Sequence, residues 1–170
     1  AAGDITLGKA ANQTQAAAGA VSVTSTSGSI SQGATGLTLT SNSDGTGTEA
    51  LALRAGKAIA LSGATLNGGA ARQSAVTMAS GTDTHVGSVN GAAFTATAGG
   101  LFDGAALSVG TGATTVTAGT TAAIGSVQAG GNYTVSAAGD ITLGKAANQT
   151  QAAAGAVSVT STSGSIAQGA

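Results

Sequence analysis

The chain has no cysteine and no proline, and only 6% of its 170 residues are charged. Each absence excludes something. Without cysteine there is neither a disulfide framework nor a thiolate metal site. Without proline every residue after the first can donate a backbone amide, which suits continuous strand ladders. Five basic residues against six acidic ones leave no electrostatic footprint for nucleic acid or an anionic membrane. No apolar run approaches the ~20 residues that span a bilayer, and no charged-then-apolar leader opens the chain. Ala1 is not an initiator residue, so the expectation is a piece of a longer chain.

What the chain does have is glycine, 29 residues of it, among Ala, Ser, Thr and short bursts of Val, Leu and Ile. Disorder ordinarily accompanies high net charge and proline. Neither is present, so the composition predicts an ordered β structure with a thin core.

Residues 1–30 recur without change at 137–166. The offset is 136, and across the 34 overlapping positions only Ser31 and Ala167 differ. One unit, 1–136, is therefore followed by the start of the next, 137–170, and the whole of 1–170 is expected to be one continuous segment.

Within the unit a finer beat runs. Val21-Ser-Val23, Leu37-Thr-Leu39, Ile59-Ala-Leu61, Val76-Thr-Met78, Phe94-Thr-Ala96, Val116 and Tyr133-Thr-Val135 alternate as strands with one buried face do. Glycine follows each burst, at Gly28, Gly45, Gly63, Gly81, Gly99, Gly119 and Gly139. Cutting at these beats predicts seven rungs: 20–36, 37–56, 57–74, 75–91, 92–110, 111–131 and 132–155. Rungs of this kind predict an all-β solenoid, a parallel β-helix. One rung cannot bury its apolar face alone, but stacked rungs bury a continuous column. At ~4.8 Å per coil, seven rungs would advance about 34 Å. Corner glycines are expected to supply positive φ angles. An antiparallel sandwich is the alternative that short, regularly spaced strands allow, but it gives no reason for so even a beat. KAANQTQAAAGA is expected to bulge as a loop rather than form a helix.

AGGNYTVSAAGDITLG and GAVSVTSTSGSISQG resemble the repeats of filamentous haemagglutinin-type adhesins, large exoproteins of two-partner secretion systems in Gram-negative bacteria. The resemblance runs along essentially all of the chain. It implies a right-handed parallel β-helix serving as a stalk, exported through an outer-membrane pore to the cell surface or matrix. It further implies a role in attachment, biofilm cohesion or delivery of a distal domain. From the residues themselves no enzymatic activity and no cofactor are expected. Expected partners are neighbouring repeats, other rods side by side, and extracellular polysaccharide or a host surface.

Candidate sites are few. Asp83 and His85 would share a strand face, yet no nucleophile motif or third partner accompanies them, and solvated turn residues are the better reading. Ser41–Glu49, SNSDGTGTE, is the densest acidic stretch but misses the calcium-loop spacing, so a loop inserted in its rung is expected. The glycine runs lack the Lys-Ser/Thr of a phosphate loop. No catalytic, cofactor or metal residue is assigned. Asn12, Asn132 and Asn148 begin Asn-x-Thr triplets and are possible glycosylation sites, against chance occurrence in a Thr-rich chain. Of the three aromatics, Phe94 and Tyr133 read as core or corner, which weakens direct sugar capture. Two alternatives to the stalk remain: a ligand-binding or polysaccharide-acting β-helix, and an ice-binding solenoid with threonine ladders. Thr24-Ser-Thr26, Thr38-Leu-Thr40, Thr82-Asp-Thr84 and Thr95-Ala-Thr97 do not all share a column in the rung alignment, which counts against the latter.

Overall fold

The computed structural model describes residues 1–69 and 71–169. They form strands joined by turns, with no helix among them. In chain order the first strands are β1 (Ile5–Leu7), β2 (Thr14–Ala16), β3 (Val21–Ser25), β4 (Ile30–Gln32), β5 (Thr38–Ser41) and β6 (Leu51–Ala55). Next come β7 (Ile59–Gly68), β8 (Val76–Ser80), β9 (Thr84–Gly91), β10 (Phe94–Ala98), β11 (Phe102–Val109) and β12 (Thr114–Ala118). The last are β13 (Ala122–Ala129), β14 (Tyr133–Ala137), β15 (Ile141–Leu143), β16 (Gln151–Ala153), β17 (Val157–Ser161) and β18 (Ile166–Gln168).

Two sheets result. One has seven strands in the order β17-β14-β12-β10-β8-β6-β3. The other has eleven, along β1-β4-β7-β9-β11-β13-β15-β18, with β2, β5 and β16 as side members. Every strand pair is parallel. That rules out the antiparallel sandwich and gives a solenoid-like stack. Each turn of chain crosses the seven-stranded sheet, rounds a corner and returns along the eleven-stranded one.

The register sets the number of turns. Val21 pairs with Leu51, Leu51 with Val76, Val76 with Phe94, Phe94 with Thr114, Thr114 with Tyr133, and Tyr133 with Val157. These six steps take 30, 25, 18, 20, 19 and 24 residues and carry the chain through the 136 of one unit. The expected seven rungs are one too many. Leu37–Leu39 and Ile59–Leu61 belong to the eleven-stranded sheet, paired through Leu39↔Leu66 and Ile30↔Ile59. The burst Leu51-Ala-Leu53, which the rung division passed over, is the true partner of Val21-Ser-Val23. The two sheets show the same alternation, so alternation alone cannot assign a burst to one of them.

The core lies between the sheets. From the seven-stranded side it takes Leu51, Leu53, Val76, Met78, Phe94, Val116, Tyr133 and Val135, all at most 2% exposed. The facing wall contributes Ile30, Ile59, Leu61, Leu66, Val89, Phe102, Leu107, Ile124, Val127 and Ile141, also fully buried. Phe94 and Phe102 meet across the core with ring centroids 6.2 Å apart and planes tilted by 50°. Gly104 leaves room for the Phe102 ring, since a Cβ there would sit 2.9 Å from its Cε1.

Glycine at the corners serves close approach rather than positive φ. Gly56, Gly81, Gly99 and Gly119 form a column in which a Cβ on one residue would collide with the carbonyl of its predecessor in the stack. None of the four has positive φ; the positive-φ glycines, Gly8, Gly36, Gly45, Gly69 and Gly144, sit in the wider loops.

The two copies of the repeated segment rebuild the same corner. Asp4 Oδ1 accepts the Ser29 amide at 2.7 Å, and Asp140 Oδ1 accepts the Ser165 amide at 2.8 Å. Ser25 Oγ donates to the Gly3 carbonyl at 2.7 Å, and Ser161 Oγ donates to the Gly139 carbonyl at 2.8 Å.

Candidate functional site

Asp83 and His85 do not form a pair. Asp83 lies just before β9, where its Oδ1 accepts the Leu101 amide at 2.8 Å. This is the corner pin that Asp4 and Asp140 make in their own coils. His85 instead stands beside Asp103 on the outer face of the eleven-stranded sheet, one strand away in register. Its Nδ1 is 3.5 Å from Asp103 Oδ2. Lys145, from the loop after β15, reaches back to Asp103 Oδ1.

The cluster His85–Asp103–Lys145 is therefore the ionic grouping that sequence reasoning missed. Its members lie 18 and 42 residues apart along the chain. The signal that finds it is the strand beat: His85 and Asp103 each come nine residues after the first residue of β8 and β10. The side chains are 36%, 33% and 30% exposed. Water therefore screens the pairs, and each contributes at most about 1 kcal/mol. The arrangement places one carboxylate between a lysine ammonium and an imidazole. No hydroxyl is hydrogen-bonded to His85 among the described residues.

The acidic loop Ser41–Glu49 is organised by Asn42, which is fully buried at φ 47°. Its Oδ1 accepts the Gly47 amide at 3.1 Å, and its Nδ2 donates to the Gly47 carbonyl. Asp44 Oδ1 accepts the Thr46 amide at 3.1 Å. The side chain of Asn42 thus replaces a backbone partner and closes the insertion, as expected for a loop. Among the described residues no group of three His, Cys, Asp or Glu converges as metal ligands would.

Asn12, Asn132 and Asn148 are all exposed. Asn12 and Asn148 occupy the same left-handed conformation, φ 57° and 63°, as repeat equivalents should. Asn132 uses its Oδ1 to accept the Ala156 amide of the next coil at 3.0 Å. Phe94, Phe102 and Tyr133 are 0% exposed, so no aromatic side chain is offered to a sugar. Burial pushes the Tyr133 phenol well above its ordinary value; its Oη donates to Gln151 Oε1 at 3.1 Å.

Two recesses deserve chemical reading. The larger, about 760 Å³, lies between the loop after β15 and β18 and is lined by Leu143, Gly144, Asn148 and Ile166 among others. In the first copy the corresponding space is filled: Leu37 is 1% exposed and packs on Gly8, and Gly36 packs on Asn12. The smaller, about 240 Å³, is lined by Thr40, Asn67, Gly69, Arg72 and Asn90. Asn90 Nδ2 donates to Asn67 Oδ1 at 2.9 Å, and Arg72 Nη1 donates to Ser108 Oγ at 2.8 Å. These side chains satisfy one another along the stack.

The four Thr-x-Thr stretches do not share one column, as expected, but a different threonine ladder is present. On the outer face of the seven-stranded sheet, Thr95 pairs in register with Thr115 and Thr97 with Thr117. The columns continue through Thr134 and Ser136, then through Ser158 and Thr160; Thr77 and Ala79 precede them. Thr95-Ala-Thr97 is thus part of an aligned ladder with Thr115, Thr117, Thr134 and Ser136. Thr38-Leu-Thr40 lies on the other sheet, and Thr82-Asp-Thr84 is at a corner.

No family model, no curated protein and no solved structure matches the chain.

Proposed function

We propose that this chain is a stalk segment of a large secreted bacterial adhesin or extracellular matrix fibre. The observation that carries the reading is the coincidence of two numbers. The repeat offset of 136 residues equals a whole number of register steps, six, from Val21 to its equivalent Val157. A unit of whole coils can be added in tandem without shifting any strand out of its sheet, so duplication lengthens the rod and changes nothing else. We infer a right-handed coil, the hand that parallel strands with crossover connections adopt almost without exception.

The mechanism is mechanical. Backbone hydrogen bonds run along the stack, the apolar column resists bending, and the unit count sets how far a tip is held from its anchor. Attachment or biofilm cohesion follows from that reach, at the cell surface or in the matrix. Side-by-side contact between rods is a subsidiary role, gained by repetition of a weak patch. Asn12, Asn132 and Asn148 are exposed positions at which glycans could be carried on such a surface fibre.

The test is a series of parent chains with units removed or added, displayed on cells. The reading expects unchanged receptor specificity and a standoff distance that grows with each unit. A change of specificity on removing units would give the segment a recognition role and contradict it.

A further inference from the structure

The outer face of the seven-stranded sheet carries a two-dimensional array of hydroxyl groups. Thr95, Thr115 and Thr134 form one row across three strands, and Thr97, Thr117 and Ser136 form the second. Parallel strands place successive members of a row ~4.8 Å apart, and the two rows ~6.7 Å apart along each strand. Between the rows Ala96, Val116 and Val135 point inward and are at most 1% exposed, which pins the strands to the core. Threonine is stiff about χ1, so each hydroxyl and its companion methyl hold a preferred position.

On the other side of the stack several polar side chains pair with one another, as in Asn67 to Thr40, Asn90 to Asn67 and Arg72 to Ser108. Among the described residues none of the six array hydroxyls bonds to another protein group. Their capacity to donate and accept is directed entirely outward. From β8 to β17 the two rows also contain no charged side chain; Arg54 stands one coil earlier.

The charge and spacing select the partner. A neutral face offers nothing to nucleic acid, anionic lipid or acidic glycan. All three aromatics are buried, so there is no stacking surface for a sugar ring. Five strands of five residues present roughly 400 Å², about half of what each partner in a stable dimer buries, so a second copy is not held by one unit. What remains is an uncharged lattice that hydrogen-bonds at two fixed repeats. The geometry points to the oxygen rows at the surface of hexagonal ice, which repeat at nearly these two distances, as the ligand of this face. The methyl groups sit in the hollows of the lattice while the hydroxyls continue its hydrogen bonds. The assignment stands on strand register alone and is independent of the stalk reading, whose test measures standoff and specificity.

The experiment uses the 170-residue chain in an ice recrystallisation assay with a parallel thermal hysteresis measurement, each sample checked for fold by circular dichroism. The wild type is expected to suppress recrystallisation at micromolar concentration. Thr97→Lys/Thr117→Lys places two long cations on the array and is expected to lower potency by about tenfold or more, as losing central contacts of a multivalent surface does. Ala60→Lys/Ala105→Lys, two exposed positions on the other sheet, is expected to keep wild-type potency. A folded wild type that leaves recrystallisation unchanged overturns the proposal. So does a folded Thr97→Lys/Thr117→Lys chain of undiminished potency. Should that variant not fold, Thr97→Ala/Thr117→Ala removes the same groups with less disturbance and is read by the same two outcomes.

Discussion

Thr114 occupies a position in its column that its neighbours fill with Phe94 and Tyr133. It is fully buried, and its hydroxyl has no hydrogen-bond partner. A buried hydroxyl without a partner costs its lost hydration. Thr114→Val keeps the shape and removes the penalty, so we expect about 1 kcal/mol of added stability, read from chemical denaturation at constant slope. A destabilised variant would mean that the hydroxyl is satisfied after all. Tyr133, next in the column, is the sole tyrosine and has its phenol pushed above its ordinary 10.0 by burial. In the unfolded chain it releases its proton near that ordinary value, while in the folded chain it holds it. Its contribution is therefore complete below pH ~10 and is lost as pH rises above that value toward the folded one. Near-ultraviolet absorbance should show no phenolate while the chain stays folded. Phenolate appearing before unfolding would contradict this.

The corner glycines show what an element needs from its sequence. Gly99 packs so that a Cβ would meet the Gly81 carbonyl in the preceding coil. Gly99→Ala should cost about 2 kcal/mol, the scale of overpacking against a backbone that cannot retreat. Gly19 has no atom within 4 Å of its hypothetical Cβ, so Gly19→Ala should be neutral or stabilising by about 0.5 kcal/mol. Equal effects on thermal denaturation would refute the stacking account. The same elements mark how far the sequence is legible. Parallel strands with one buried face are written in the alternation of Val76-Thr-Met78 or Tyr133-Thr-Val135. Which sheet a strand joins is not, because Leu37-Thr-Leu39 alternates as well as Leu51-Ala-Leu53. The difference lies in a long insertion: 30 residues separate Val21 from Leu51, where 18 separate Val76 from Phe94. The candidate sites suffered the same blindness. Asp83 and His85 are near in sequence, whereas the stack sends one to a corner amide and the other to Asp103. The hydroxyl rows likewise exist only once the register is known.

At the scale of the molecule, chemistry is spread along a surface rather than gathered in a cleft. Asp103 and Lys145 pair on the eleven-stranded side, Asp4, Asp83 and Asp140 pin corners, and the outward rows of the opposite face from β8 to β17 are neutral. Copies 1–33 and 137–169 rebuild one corner with matching hydrogen bonds, which is what an extensible rod requires. The most direct test is the length of tandem chains carrying increasing numbers of the 136-residue unit, measured by electron microscopy or small-angle scattering. Six coils at ~4.8 Å each predict that every added unit lengthens the particle by about 29 Å at constant width. An increment near the ~34 Å of seven coils, or a particle that widens instead of lengthening, would contradict the six-coil stack.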